Sequence, residues 1–64
     1  MNNKQFSAFE KHREAVRELE FRRQVYKRMV GNAKLSSDVA NRRIALMQEI
    51  ADDYRDLSEK ERLL

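Results

Sequence analysis

The chain has no cysteine, no proline, no tryptophan and a single glycine among its 64 residues. Without cysteine it has no disulfide, no thiolate metal site and no thiol redox chemistry, and it fits a reducing compartment. Without proline nothing forces a break in a helix, and one glycine leaves one natural place to stop. Long apolar runs are also missing. The start, MNNKQFSAFEKHRE, holds no stretch of the length that an export signal or a membrane span requires, so the expected location is the cytoplasm. The chain is short as well, and domains below about 70–80 residues seldom bury enough core alone. They rely on disulfides, a metal or another chain, and of these self-association is the remedy left open here.

What is present is charge and helical periodicity. The composition is 41% hydrophobic and 39% charged, too apolar for an ordinary disordered tail and charge-rich in the manner of long helices and coiled coils. The net charge of +3 is unevenly spread: residues 1–30 carry eight Lys/Arg against four Glu, while residues 31–64 carry six against seven Asp/Glu.

Gly31 follows the run VYKRMV and precedes Asn32, the pattern of a helix stop at which the chain takes positive φ. Ser36 or Ser37 then offers an oxygen to a free backbone N–H, and Asp38 suits the positive end of a helix dipole. The prediction is an all-α, single-domain antiparallel two-helix hairpin, with one helix over about 5–30, a turn at 31–35 and a second helix over about 36–62. In the first helix Phe9, His12, Val16, Leu19, Arg23, Tyr26 and Val30 line one face at alternating steps of three and four. In the second, Ala40, Arg43, Met47, Ile50, Tyr54, Leu57, Glu61 and Leu64 do the same, with Ile44 and Ala51 widening the stripe. Folding at the turn sets Tyr26 by Ala40, Arg23 by Arg43, Leu19 by Met47, Val16 by Ile50, His12 by Tyr54 and Phe9 by Leu57.

A second apolar row falls outside this seam. Phe21, Val25 and Met29 repeat every four residues away from Val16, and Val39 and Leu46 extend the apolar margin of the second helix. Scattered surface hydrophobes are common. A lone hairpin has so little core, however, that this row is assigned as an oligomer contact, pairing two hairpins into a four-helix bundle homodimer.

The turn collects Arg22, Arg23, Lys27, Arg28, Lys34, Arg42 and Arg43. The cations ending the first helix suit its dipole, whereas those opening the second do not. At the other end of the hairpin Lys11, Arg13 and Arg17 are expected to face Asp52, Asp53 and Asp56 across the seam. Three readings of the cluster stand. It is a solvated face whose stems cover apolar surface, a patch that meets an acidic protein surface, or a phosphate-binding patch without base readout. Arg23 and Arg43 are the sharpest case, because two guanidinium groups on the seam must escape it or find an anion.

No catalytic, cofactor or metal set is legible. The single histidine, His12, has no Cys, Ser or paired carboxylate at the spacing of a nucleophile–base pair or a zinc site. It is read as a seam residue. Asp52 and Asp53 are adjacent and therefore splayed on a helix, which makes them poor general acid–base material.

The segment ELEFRRQVYKRMV, followed after a short turn by ANRRIALMQEIADDY, resembles small proteins encoded by phages and prophages of enteric bacteria. Their pattern is R-R-x-V-Y, a break near Gly, a short Lys-Leu/Met-Ser/Thr stretch and an A-x-x-x-I-x-x-M-x-x-I-A-x-D-Y helix. The resemblance spans roughly residues 17–54. It is carried by Arg22, Arg23, Val25, Tyr26 and Val30, by Lys34, Leu35 and Ser36, and by Ala40, Ile44, Met47, Ile50, Ala51, Asp53 and Tyr54. It departs at Lys27, where many look-alikes carry proline, and at Gly31-Asn32, where the glycine is shifted. What the resemblance implies is a non-enzymatic accessory protein that binds a component of the bacterial host; the residues themselves point to no cofactor and no membrane partner. The alternative is a small RNA- or DNA-binding four-helix dimer using the basic turn.

Overall fold

A computed structural model describes residues 4–63. Two helices, α1 (Ala8–Gly31) and α2 (Ser37–Leu63), pack side by side as an antiparallel hairpin of about 47 × 19 × 18 Å, and there is no strand among the described residues. Neither helix is long and apolar enough to cross a membrane.

α1 starts at Ala8, later than the expected boundary at about residue 5, because Ser7 caps it. The Ser7 hydroxyl accepts the Glu10 N–H at 3.1 Å, and the Glu10 carboxylate accepts the Ser7 N–H at 3.3 Å. This reciprocal pair satisfies backbone donors that have no partner inside the helix. It is announced in the sequence by Ser7-Ala8-Phe9-Glu10, a signal the periodicity argument did not use.

The end of α1 corrects the reading of Gly31. Gly31 is the last helical residue and no glycine has positive φ; the left-handed residue is Ala33, at φ 57°. Around it the Ala33 N–H donates to Val30 O at 3.1 Å and the Lys34 N–H to Met29 O at 2.8 Å. These are the two bonds of a Schellman cap, with alanine in the position that glycine usually fills. α2 opens on Ser36, whose hydroxyl accepts the Val39 N–H at 3.2 Å, and Asp38 lies in its first turn.

The core is narrow. Ala15, Leu19, Met47 and Ala51 form its buried centre, with Val16, Ile44 and Ile50 packed against it. Ala8, Ala40 and Ser58 are buried further along the same seam. Leu19 keeps 4% of its surface exposed and Ala51 1%.

The contact line is therefore Ala8, His12, Ala15, Leu19, Arg22 and Tyr26 on α1, against Ala40, Ile44, Met47, Ala51, Tyr54 and Ser58 on α2. Compared with the expected rows, every second member is replaced by its neighbour. Phe9, Leu57 and Glu61 are exposed rather than on the seam, and so are Arg23 and Arg43. Leu64, expected on the seam, lies outside the described residues. The reason is steric: Ala8, Ala15, Ala51 and Ser58 let the helix backbones approach, and the bulkier Phe9, Val16, Ile50 and Leu57 move to the flanks. Leu19 and Met47 do share the centre of the core.

Candidate functional site

His12 is half-buried and its Nδ1 donates to the Ala51 carbonyl at 2.9 Å, bridging the helices. Its layer thus centres on Ala51 as well as Tyr54. The bond ties the imidazole to the backbone of α2 and gives it a structural task.

The expected ion pairs across the seam do not form. All four ion pairs among the described residues lie within one helix: Arg17–Glu14 at 3.6 Å, Arg22–Glu18 at 2.9 Å, and Arg55 with Asp52 and Asp56 at 3.3 Å each. Three of these join helical neighbours three or four residues apart and the fourth, Arg55–Asp56, joins adjacent residues, all closer than residues on the opposing helix. Lys11 instead places its ammonium 5.7 Å from the Tyr54 ring centre, and Arg13 lies 5.8 Å from the Phe9 ring. The Arg13–Phe9 pair is exposed and contributes little to stability, whereas Lys11 and Tyr54 are both half-buried.

At the turn end the seven cations separate by function. Arg22 is occupied, because its half-buried guanidinium pairs with Glu18 through Nε and reaches the Arg43 carbonyl through Nη1 at 3.4 Å. Arg23 escapes the seam and donates to the Gln48 amide oxygen at 3.0 Å, and Gln48 in turn donates to Asp52 at 3.0 Å. Sequence reasoning missed Gln48; a long amide one turn from an aspartate on the seam margin is the signal that was available. Arg23, Lys27, Arg28, Lys34, Arg42 and Arg43 have no carboxylate partner among the described residues.

Arg22 and Arg23, adjacent in sequence, mark the two faces of the hairpin. Arg22 crosses toward Arg43 on one face and Arg23 toward Gln48 on the other. On the Arg23 face a shallow groove runs between the helices at the turn end, with Tyr26, Val30 and Ile44 as its floor and Arg23, Lys27 and Asn41 at its rim. The Arg22 face carries the second apolar row. Phe21 is 60% exposed, Leu46 54% and Val39 38%, while Val25 and Met29 are half-buried. One turn further along α2, Ile50 borders a groove with Lys11, Glu14 and Glu18 on this same face.

No family model, no curated protein and no solved structure matches the chain.

Proposed function

We propose that the chain is a non-enzymatic accessory protein of phage type, a homodimeric four-helix bundle that binds an acidic protein surface of the bacterial host through its basic turn end. The observation that carries this reading is the set of six turn-end cations left without a carboxylate partner, two of which, Arg23 and Lys27, rim an apolar groove. Cations facing one another across a turn cost stability to the free hairpin, and an acidic partner would offset that cost. The apolar floor between Tyr26 and Ile44 favours a protein segment over bare phosphates, which would make no use of it. Dimerisation is supported by the exposed Phe21, Leu46 and Val39 on the opposite face, more large apolar surface than a chain with so thin a core leaves unused. Resemblance to the phage and prophage proteins supports the host setting.

The test pairs two measurements on the wild type and an Arg23→Gln, Lys27→Gln, Arg42→Gln variant. Host lysate cleared of nucleic acid by nuclease should yield one defined protein, retained by the wild type and released by the variant. Binding to RNA or duplex DNA should stay weak. Nucleic-acid affinity that is submicromolar, falls with salt at a log–log slope near −0.9 per duplex phosphate contact and is lost in the variant would replace this reading with the nucleic-acid one.

A further inference from the structure

The outer margin of α2, exposed except at the half-buried Ile50, repeats with a regularity that the seam does not explain. Val39, Arg43, Leu46, Ile50, Asp53 and Leu57 follow one another at steps of four and three, so they form one stripe along the helix, on the Arg22 face. Four members are apolar and two are charged. Neither charged side chain has a partner: Asp52 and Asp56 pair with Arg55, but among the described residues Asp53 accepts no hydrogen bond or ion pair, and Arg43 contributes only its backbone carbonyl.

The stripe is chemically symmetric about position 48. Val39 and Leu57 lie equally far from that point, as do Arg43 and Asp53, and Leu46 and Ile50. A two-fold contact between antiparallel copies of α2 sets each residue against its mirror position. Val39 then meets Leu57 of the second copy, Leu46 meets Ile50, and Arg43 meets Asp53 twice over. A parallel contact would instead set Arg43 against Arg43 and Asp53 against Asp53. It would also bring both basic turn ends together, whereas the antiparallel one places each beside the stretch of the other α2 that carries Asp52, Asp53, Asp56, Glu59 and Glu61.

We propose that the dimer, on which this inference rests, forms through an antiparallel α2–α2 contact along Val39, Leu46, Ile50 and Leu57, registered by reciprocal Arg43–Asp53 ion pairs. Arg43 thereby leaves the set of host-contacting cations, and Arg23, Lys27, Arg28, Lys34 and Arg42 remain at two tips facing away from each other.

Charge reversal tests the arrangement by sedimentation equilibrium on the full chain, with helicity by circular dichroism as the folding check, since both positions are exposed. Arg43→Asp alone and Asp53→Arg alone should each weaken dimerisation at least tenfold, because both symmetry-related layers become like-charged. The double swap should restore it to within about threefold of wild type. A spin label on a Lys34→Cys variant, in a chain with no other cysteine, should report a separation of about 40 Å between copies, from the axial rise of about 1.5 Å per residue on either side of position 48. A wild type that stays monomeric at millimolar concentration would overturn the dimer itself. A dimer indifferent to both reversals, or labels within about 20 Å of each other, would overturn the antiparallel register while leaving the dimer standing.

Discussion

Exchanging alanine and glycine around the turn should stabilise the protein. Ala33 holds φ at 57°, a left-handed conformation that costs an L-residue about 1–2 kcal/mol. Glycine removes that penalty but gives part of it back by loosening the unfolded chain, about 0.4–1 kcal/mol, so Ala33→Gly should gain roughly 1 kcal/mol. Gly31 is helical, and a Cβ built on it meets nothing within 4 Å. Gly31→Ala should therefore gain about 0.5 kcal/mol, half the interior helix value because the position is terminal. The double variant should gain about 1.5 kcal/mol, which at about 4–8 °C per kcal/mol for a domain of this size raises the melting temperature by roughly 6–12 °C. Thermal melts by circular dichroism at one fixed protein concentration measure it, and Ala33→Val should move the other way. An Ala33→Gly variant that melts at or below the wild type would refute the left-handed cap, and with it the account of how α1 ends.

Leu19→Ala, at the centre of the core, should cost roughly 2–5 kcal/mol, while Phe9→Ala, on an exposed flank, should cost less than about 1 kcal/mol; equal losses in urea denaturation would mean that the seam runs through Phe9 after all. Ser7→Ala should lose about 1 kcal/mol by uncoupling the reciprocal cap with Glu10, and an unchanged denaturation midpoint would deny that cap. The melting temperature should rise with protein concentration across the micromolar to millimolar range, because association stabilises by mass action, and a flat response would count against the dimer.

The hairpin was legible because the loop length and the two periodic rows agree, and the pairing of Leu19 with Met47 followed from both. What was not legible was which of two adjacent rows lies inside. On α1 the candidate rows share His12, Leu19 and Tyr26, and their apolar members differ in Phe9 and Val16 against Ala8 and Ala15. On α2 they share Ala40, Met47 and Tyr54 and differ in Ile50 and Leu57 against Ala51 and Ser58. Hydrophobicity favours the larger member of each pair, whereas close backbone approach favours the smaller, and the smaller won at all four positions. The same half-step rotation moved Arg23 and Arg43 into solvent and brought Arg22 to the seam margin. The Glu18–Arg22 pair is an i,i+4 contact that spacing announces, whereas the reach of Arg22 to the Arg43 carbonyl and of Arg23 to Gln48 depends on side-chain direction that spacing alone does not encode.

A seam whose buried members, Leu19 and Met47 apart, are the small Ala8, Ala15, Ala40, Ala51 and Ser58 also sets the calorimetry of the folded chain. These side chains give up almost no rotamer freedom on burial, yet they remove little hydrocarbon from water. The heat-capacity increment of unfolding the hairpin by itself should therefore fall below the usual 12–15 cal/mol/K per residue. Its stability should vary weakly with temperature, and its melt should be broad. A sharp transition with an ordinary heat-capacity step at high concentration would register apolar area buried somewhere other than between α1 and α2.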